Sequence, residues 1–167
     1  MESKNLIIRP TVFDDCALFA EWENQPNVTE FFTIDEGRTY EEIVTEFVRY
    51  NLDPSKLQFT ITLKPEDKPI GKIYISRINR HEDSMDITRV YIADTENRGK
   101  GYGEEALRLV LEYAFINLHM ESGEFATIVG SNGAGKSTLF GQRFFLVHRT
   151  GVKGHTDMVQ ILSLIHI

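Results

Sequence analysis

The spacing of apolar residues predicts an amphipathic helix followed by three strands. From Thr39 onward, apolar residues recur every three or four positions, as on one face of an α-helix: Tyr40, Ile43, Val44, Phe47 and Val48. The intervening residues are expected to face water: Glu41, Glu42, Thr45, Glu46 and Arg49. The pattern then changes to the alternation of a half-buried strand, with polar residues at Gln58, Thr60 and Thr62 between apolar ones at Leu57, Phe59, Ile61 and Leu63. Strands from Ile70 to Ile78 and from Met85 to Ile92 complete a predicted antiparallel meander.

Shorter elements are predicted before this helix, and a long helix after the meander. Leu6 to Arg9 is expected to form a strand that Pro10 closes, because proline has no N–H for a central ladder. Thr11 and the acidic residue three positions later resemble a capping box, which predicts a helix running to about Asn24. A mostly buried helix is expected to end near Asn117.

The last strand of the meander carries an irregularity. Met85 and Ile87 set one apolar phase, whereas Val90 and Ile92 occupy the other. A strand changes face only when a residue is inserted, so the pattern predicts a β-bulge around Arg89. A strand buried on both faces is the alternative.

Composition and charge exclude several classes of function. The net charge of −7 argues against nucleic acid as a partner, because phosphate binding needs a basic surface. No apolar run approaches the roughly 20 residues of a membrane span, and the N-terminus lacks a signal-peptide core, so a cytoplasmic location is expected. Charge is unevenly distributed: 14 basic and 23 acidic residues lie before position 122, against 4 and 2 after it.

The six residues from Arg98 to Gly103 combine three glycines with two basic residues between a predicted strand and a buried helix. A helix start presents unpaired N–H groups and the positive end of its dipole. Glycines remove the Cβ atoms that would keep an anion from the backbone. The segment therefore predicts a phosphate site, with charge supplied by Arg98 and Lys100.

This segment resembles the R/Q-x-x-G-x-G/A signature of the GNAT family of N-acetyltransferases. The opening from Leu6 to Pro10, followed by Asp14, Asp15 and Trp22, is similar to the branch of ribosomal-protein and antibiotic-type acetyltransferases, and the resemblance runs to about His119. It implies an α+β fold, a GNAT-like α/β/α layer with a mixed, mainly antiparallel sheet, truncated here after the fourth strand and its helix.

The resemblance also implies a donor, acetyl-CoA, and an acceptor, the primary amine of a protein N-terminus or a small molecule. Backbone amides of the glycine-rich segment would hold the pyrophosphate, while the bulged strand would pair with the pantetheine and direct an amide at the thioester oxygen. The implied donor-binding residues are Val90, Tyr91, Ile92, Arg98, Gly99, Lys100, Gly101, Tyr102, Gly103 and Glu104. Cys16 is expected to pack in the core, so no acyl-cysteine is predicted.

The parts of the family that follow this helix are not recognised after Glu121: a fifth strand, a helix with the tyrosine that protonates the leaving thiolate, and a final hairpin. No catalytic residue is therefore assigned. Asp86, Tyr91 and Glu96 are the candidates for a base, although each is also explained as a solvated or packing residue.

A second motif occupies their place. Gly130-x4-Gly135-Lys136-Ser137 is a complete Walker A pattern after an apolar run, and it resembles the first strand and P-loop of an ABC-transporter ATPase. It predicts Mg-ATP binding as an alternative function, through Gly130, Gly133, Gly135, Lys136, Ser137 and Thr138. A Walker B carboxylate and an LSGGQ-type signature are missing downstream, which argues against hydrolysis.

Three segments are therefore predicted: the N-terminal part of a GNAT domain over 1–121, a P-loop fragment over 122–140, and an unassigned tail over 141–167. The last six residues resemble a translated transposon end of the kind used in preparing sequencing libraries. The change in charge and the two partial resemblances favour a chimeric reading frame joined near Glu121, without function as a whole. The tail histidines are too irregularly spaced for a metal site: His148, His155 and His166.

Overall fold

The computed structural model describes residues 1–29, 37–81, 84–118, 145–150 and 158–163. Four helices and six strands lie in these ranges. In chain order they are β1 Leu6–Pro10, α1 Asp15–Trp22, α2 Pro26–Thr29, α3 Tyr40–Asn51, β2 Leu57–Leu63, β3 Lys68–Asn79, β4 Ser84–Ile92, a 3-10 turn Thr95–Asn97, α4 Tyr102–Asn117, β5 Phe145–Thr150 and β6 Met158–Ser163.

The first four strands form one antiparallel sheet in the order β1-β2-β3-β4, with α4 on one face and α1 and α3 on the other. The predicted meander and the α+β, α/β/α fold class are confirmed. β5 and β6 pair antiparallel with each other in a second, two-stranded sheet. This pairing is not predicted from the sequence, in which the family's final hairpin is not recognised; its strands are two β-branched and apolar runs in the tail.

The main hydrophobic core lies between the sheet and α4. Alternate residues of every strand enter it, because successive side chains of a strand point to opposite faces. The strands contribute Leu6, Ile8, Phe59, Ile61, Ile73, Ile75, Ile87, Val90 and Ile92, and α4 contributes Ala106, Leu107, Val110 and Leu111.

The opposite face of the sheet is polar and nevertheless buried. Thr60 and Thr62 are almost fully covered, although β2 is predicted to expose its polar side. The Thr60 hydroxyl donates to the Asp15 carboxylate (2.8 Å) and contacts the Thr11 hydroxyl (3.2 Å), so helix α1 supplies the hydrogen bonds that water would otherwise make. The prediction of a half-buried strand is wrong for this reason.

The helices on that face differ from their predictions in detail. Helix α1 begins at Asp15 rather than Thr11, because the Asp15 carboxylate accepts the Val12 N–H (2.9 Å) and pairs with Arg9 (2.7 Å). On α3, Tyr40 and Val48 are about half exposed despite their place in the predicted apolar stripe.

The predicted β-bulge lies at Thr88. Tyr74 pairs with Arg89 and Ile75 pairs with Ile87, which leaves Thr88 as the extra residue of β4. The insertion brings both Ile87 and Val90 into the core beneath α4. Beyond the bulge β4 is buried on both faces, so the alternative also holds for its last residues.

Helix α3 begins with a reciprocal capping box that provides a test of the fold. The Thr39 hydroxyl accepts the Glu42 N–H (3.2 Å), and the Glu42 carboxylate accepts the Thr39 N–H (2.8 Å). We expect Thr39→Ala to lower the free energy of unfolding by about 1 kcal/mol, measured by urea denaturation. Thr39→Ser keeps the hydroxyl and should remain near the wild-type value; an equal loss in both variants would contradict the assignment.

Candidate functional site

The segment 98–103, here called the glycine loop, leads directly into α4. Gly99 and Gly101 have φ angles of +72° and +83°, which L side chains rarely adopt, and a Cβ at either position would meet no atom within 4 Å. Gly101 is the N-cap of α4, and its carbonyl accepts the Glu105 N–H (3.0 Å). The N–H groups of residues 102–104 have no preceding turn to bond, so they and the helix dipole make this end of α4 suited to an anion.

The basic side chains of the glycine loop make bonds within the protein. Arg98 donates from Nε to the Ile92 carbonyl (2.9 Å) and from Nη2 to the Asn27 carbonyl (2.9 Å). Lys100 is exposed, and its Nζ donates to the side-chain oxygen of Asn97 (3.4 Å). Two nitrogens of Arg98 are thus held by backbone carbonyls, and whether its charge also serves a phosphate stays a prediction.

The outer edge of β4 continues from the glycine loop. The Ala93 N–H donates to the Ile70 carbonyl (2.8 Å), so Ala93 faces β3. Residues of an antiparallel pair alternate in this respect, so the backbone of Tyr91 also faces β3, whereas Val90 and Ile92 direct theirs to the other side. Among the described residues no strand pairs with β4 on that side.

The three candidates for a catalytic base do not converge. Asp86 and Tyr91 lie five residues apart on β4, which separates them by about 15 Å. The carboxylate of Asp86 pairs with Arg77. Glu96 is exposed in the 3-10 turn before the glycine loop. Glu96 lies two residues before Arg98, the first residue of the glycine loop. The three candidates therefore do not form one site.

Tyr91 is committed to a buried hydrogen bond. Its hydroxyl donates to Oε1 of Glu23 (3.1 Å), and its ring meets that of Trp22 edge to face. Burial, together with the nearby Glu23 carboxylate, raises the pKa of Tyr91 well above its ordinary value of 10.0. The group therefore keeps its proton at neutral pH and cannot serve as a base in this arrangement.

A largely buried group of charges, which we call the ion cluster, connects α3, β3 and β4 with Glu23, the residue that follows α1, and Arg38, which precedes α3. It consists of Glu23, Arg38, Glu46, Lys72 and Arg89. Lys72 contacts Glu23 (3.4 Å) and Glu46 (3.1 Å), Arg38 contacts the same two carboxylates (2.9 Å each), and Arg89 contacts them at 3.5 and 3.4 Å. The side chains of Glu23 and Lys72 are fully buried.

The sequence contains only a faint signal of the ion cluster. Glu46 is predicted to face water, but its side chain is 9% exposed because it borders the apolar stripe of α3. Lys72 interrupts an apolar strand, which is the one pattern that marks a buried charge needing a partner. Burial alone raises the pKa of Glu23 and of Glu46, but Lys72, Arg89 and Arg38 outweigh it, so both pKa values lie below the ordinary 4.5.

The Walker A residues lie outside the described residues: Gly130, Gly133, Gly135, Lys136, Ser137 and Thr138. The junction at Glu121 lies outside them as well. In the part of the chain that is described, no helix is both long and apolar enough to cross a membrane. The same part contains no group of His, Cys, Asp and Glu side chains that could hold a metal ion.

Comparisons with known proteins match this chain to a protein family and to one curated relative. A family model described as an acetyltransferase (GNAT) domain matches residues 5–134 and thus continues past Glu121. The N-acetyltransferase 9-like protein of Caenorhabditis briggsae is 29% identical over 96 residues, which cover 53% of this chain and 48% of the relative. The chain thus spans about half the length of the curated relative that it matches.

Solved structures share the fold at low sequence identity. Spermidine N-acetyltransferase from Vibrio cholerae, in complex with CoA and spermine, is 17% identical with a TM-score of 0.65, over 75% of this chain and 72% of the other. A domain from Methanocaldococcus jannaschii is 20% identical with a TM-score of 0.64, over 95% and 98%. At these identities the likeness supports the fold.

The ion cluster provides a test of what holds β4 in place. Glu23→Gln keeps the shape of the side chain but removes the charge, so three cations, of which Lys72 is fully buried, share one carboxylate. We expect the free energy of unfolding at pH 7 to fall by about 3–5 kcal/mol in urea denaturation. Glu41→Gln, at an exposed position of α3, should change it by no more than about 0.5 kcal/mol.

The contribution of Glu23 to stability can also be tested through the pH dependence of the free energy of unfolding. Because the folded-state pKa of Glu23 is lowered, its contribution is present above the unfolded-state pKa, near 4.5, and is lost as pH falls through the lower folded value. Wild-type stability should therefore drop below about pH 4.5. Glu23→Gln should flatten part of this drop; an unchanged profile would show that Glu23 does not contribute to it.

Proposed function

The chain belongs to the GNAT acetyltransferase domain family, and we propose that it binds acetyl-CoA as the acetyl donor for a primary amine. The observation that carries the proposal is the continuity between the outward-facing backbone of β4 and the glycine loop. The proposed donor-binding residues are Val90, Ile92, Gly99, Lys100, Gly101, Tyr102, Gly103 and Glu104, with Tyr91 and Arg98 acting by holding this backbone in place.

The glycine loop fits the phosphates of the donor. An anion needs several N–H groups that converge from a backbone without obstructing side chains. The two left-handed glycines leave open space where Cβ atoms would stand, and the first turn of α4 supplies the amides of residues 102–104. Lys100 is exposed beside them and adds a positive charge.

The edge of β4 fits the extended part of the donor. The pantetheine arm of acetyl-CoA carries amide groups that pair with a strand as another strand would. Val90 and Ile92 offer backbone groups at alternate positions, spaced about 6.6 Å apart. Acetyl-CoA supplies the activated acetyl group. The role proposed for the Val90 N–H is to stabilise the negative charge that develops on the acetyl oxygen as the amine attacks.

The acceptor is proposed to be a primary amine held close to the acetyl group, with much of the rate coming from proximity. A structural neighbour binds spermine and is named for spermidine, and this chain carries a net charge of −7, so a cationic small amine is the first acceptor to test. A protein N-terminus is the other. No described residue is assigned as the base, because Asp86 and Tyr91 are engaged and Glu96 is exposed.

The finer divisions of the chain stay predictions. We keep 1–121 as the N-terminal part of the acetyltransferase domain, 122–140 as a P-loop fragment and 141–167 as the tail. The family match extends to residue 134 and so overlaps the predicted P-loop fragment; the boundary near Glu121 rests on the sequence patterns alone. Similarity to the ribosomal-protein and antibiotic branch rests on the first 22 residues, and binding of Mg-ATP rests on the Walker A pattern alone.

Binding of the donor is tested by thermal unfolding with added CoA. At a concentration 100 times the dissociation constant, a ligand stabilises the folded state by about 2.7 kcal/mol, which raises Tm by several degrees. Gly101→Glu places a Cβ and a negative charge in the proposed phosphate site and should abolish the shift. Glu41→Gln, on α3, should retain it.

The change in Tm of the unliganded Gly101 variants shows how much of their effect is on folding rather than on CoA binding. A residue other than glycine at φ +83° costs roughly 1–2 kcal/mol, which Gly101→Ala measures without the charge. A CoA-dependent shift that survives in Gly101→Glu would refute the placement of the phosphates. The two acceptor classes are distinguished by a separate assay, in which release of CoA from acetyl-CoA is measured with either spermidine or an N-terminal peptide as the acceptor.

A further inference from the structure

We propose that Arg98 is a positioning residue that shapes the donor site through backbone carbonyls and does not itself bind the phosphates of the donor. The inference deepens the proposed function and rests on it. It assigns to the first residue of the glycine loop a role different from that of Lys100, the other cation of the loop.

The contacts of Arg98 connect three elements. Its Nε donates to the Ile92 carbonyl at the end of β4, and its Nη2 donates to the Asn27 carbonyl in α2, both at 2.9 Å. Asn27 in turn donates from its side chain to the Ala93 carbonyl (3.3 Å). Helix α2, the end of β4 and the glycine loop are therefore closed into one hydrogen-bonded unit through a single guanidinium.

The packing around this unit limits where the guanidinium can go. Val28 is fully buried against Tyr91 and Ala93, so α2 is fixed over the end of β4. Both acceptors are partly buried carbonyls, which lose hydrogen bonds if Arg98 turns toward a phosphate. A planar fork with donors at fixed angles suits two separate carbonyls, whereas the point charge of lysine does not.

Arg98 also determines which groups of β4 are available to a ligand. The Ile92 carbonyl points to the outer edge, where a pairing ligand would reach it, and Arg98 occupies it. The outward groups left for the donor are both backbone groups of Val90 and the N–H of Ile92. Arg98 thereby sets the point at which the donor stops pairing with the edge of β4 and begins to contact the glycine loop.

The test separates geometry from charge with two variants and two ligands. Arg98→Lys keeps the charge, and Arg98→Gln removes it, while neither reproduces both carbonyl bonds. CoA carries the phosphates, and S-acetylpantetheine lacks the nucleotide and its pyrophosphate. Dissociation constants for both ligands are measured by titration of each variant, and the unliganded Tm is recorded alongside.

If Arg98 positions the site, both variants lower the unliganded Tm, and both weaken CoA and S-acetylpantetheine by the same factor, about tenfold. Lys100→Gln provides the contrast, because loss of a phosphate ligand should weaken CoA alone. Should Arg98→Gln fail to fold, Arg98→Lys carries the comparison.

The inference is wrong if Arg98→Lys binds CoA as tightly as the wild-type protein does. It is also wrong if Arg98→Gln weakens CoA while S-acetylpantetheine is unaffected, since that pattern marks a direct phosphate contact. Failure of the proposed function gives a different result, because the wild-type protein would then bind neither ligand, and that overturns both statements together.

Discussion

One inserted residue in β4, Thr88, sets the orientation of the strand segment on which the candidate site is built. Beyond the bulge, Val90 and Ile92 turn their side chains into the core beneath α4 and their backbone groups to the outer edge. Arg89 and Tyr91 turn to the opposite face, where both meet Glu23. Without the insertion every residue after it would change face, so the core, the ion cluster and the exposed amides all depend on it.

The ion cluster holds the polar side of this arrangement. The carboxylates of Glu23, which directly follows α1, and of Glu46 in α3 meet one lysine from β3 and two arginines. Buried charges are costly unless each has partners, and here each carboxylate contacts three cations. The cluster fixes α1 and α3 against β3 and β4, while α4 fixes the other face. Strand β4 is therefore packed on both of its faces.

Local sequence patterns predict the helices and strands, but they do not predict polar contacts between residues that are far apart in the chain. The periodicity of α3, the alternation of β2 and the phase change in β4 each arise within a few residues, so helix, meander and bulge are predicted. The buried state of Thr60, Glu46 and Glu23 depends on which helix covers which face, and that is decided by residues far apart in the chain. The glycine loop is predicted because its backbone requirement is local. The internal bonds of Arg98 are missed because one acceptor, the Asn27 carbonyl, comes from α2, 71 positions away.

The most direct test of the account is amide hydrogen exchange with and without CoA, resolved by residue. CoA should slow exchange at Val90 and Ile92 on the edge of β4 and at residues 102–104 in the first turn of α4. Tyr91 should be unchanged, because its N–H already faces β3. Protection that includes Tyr91 equally, or that leaves both Val90 and the first turn of α4 unaffected, would contradict the placement of the donor along this edge.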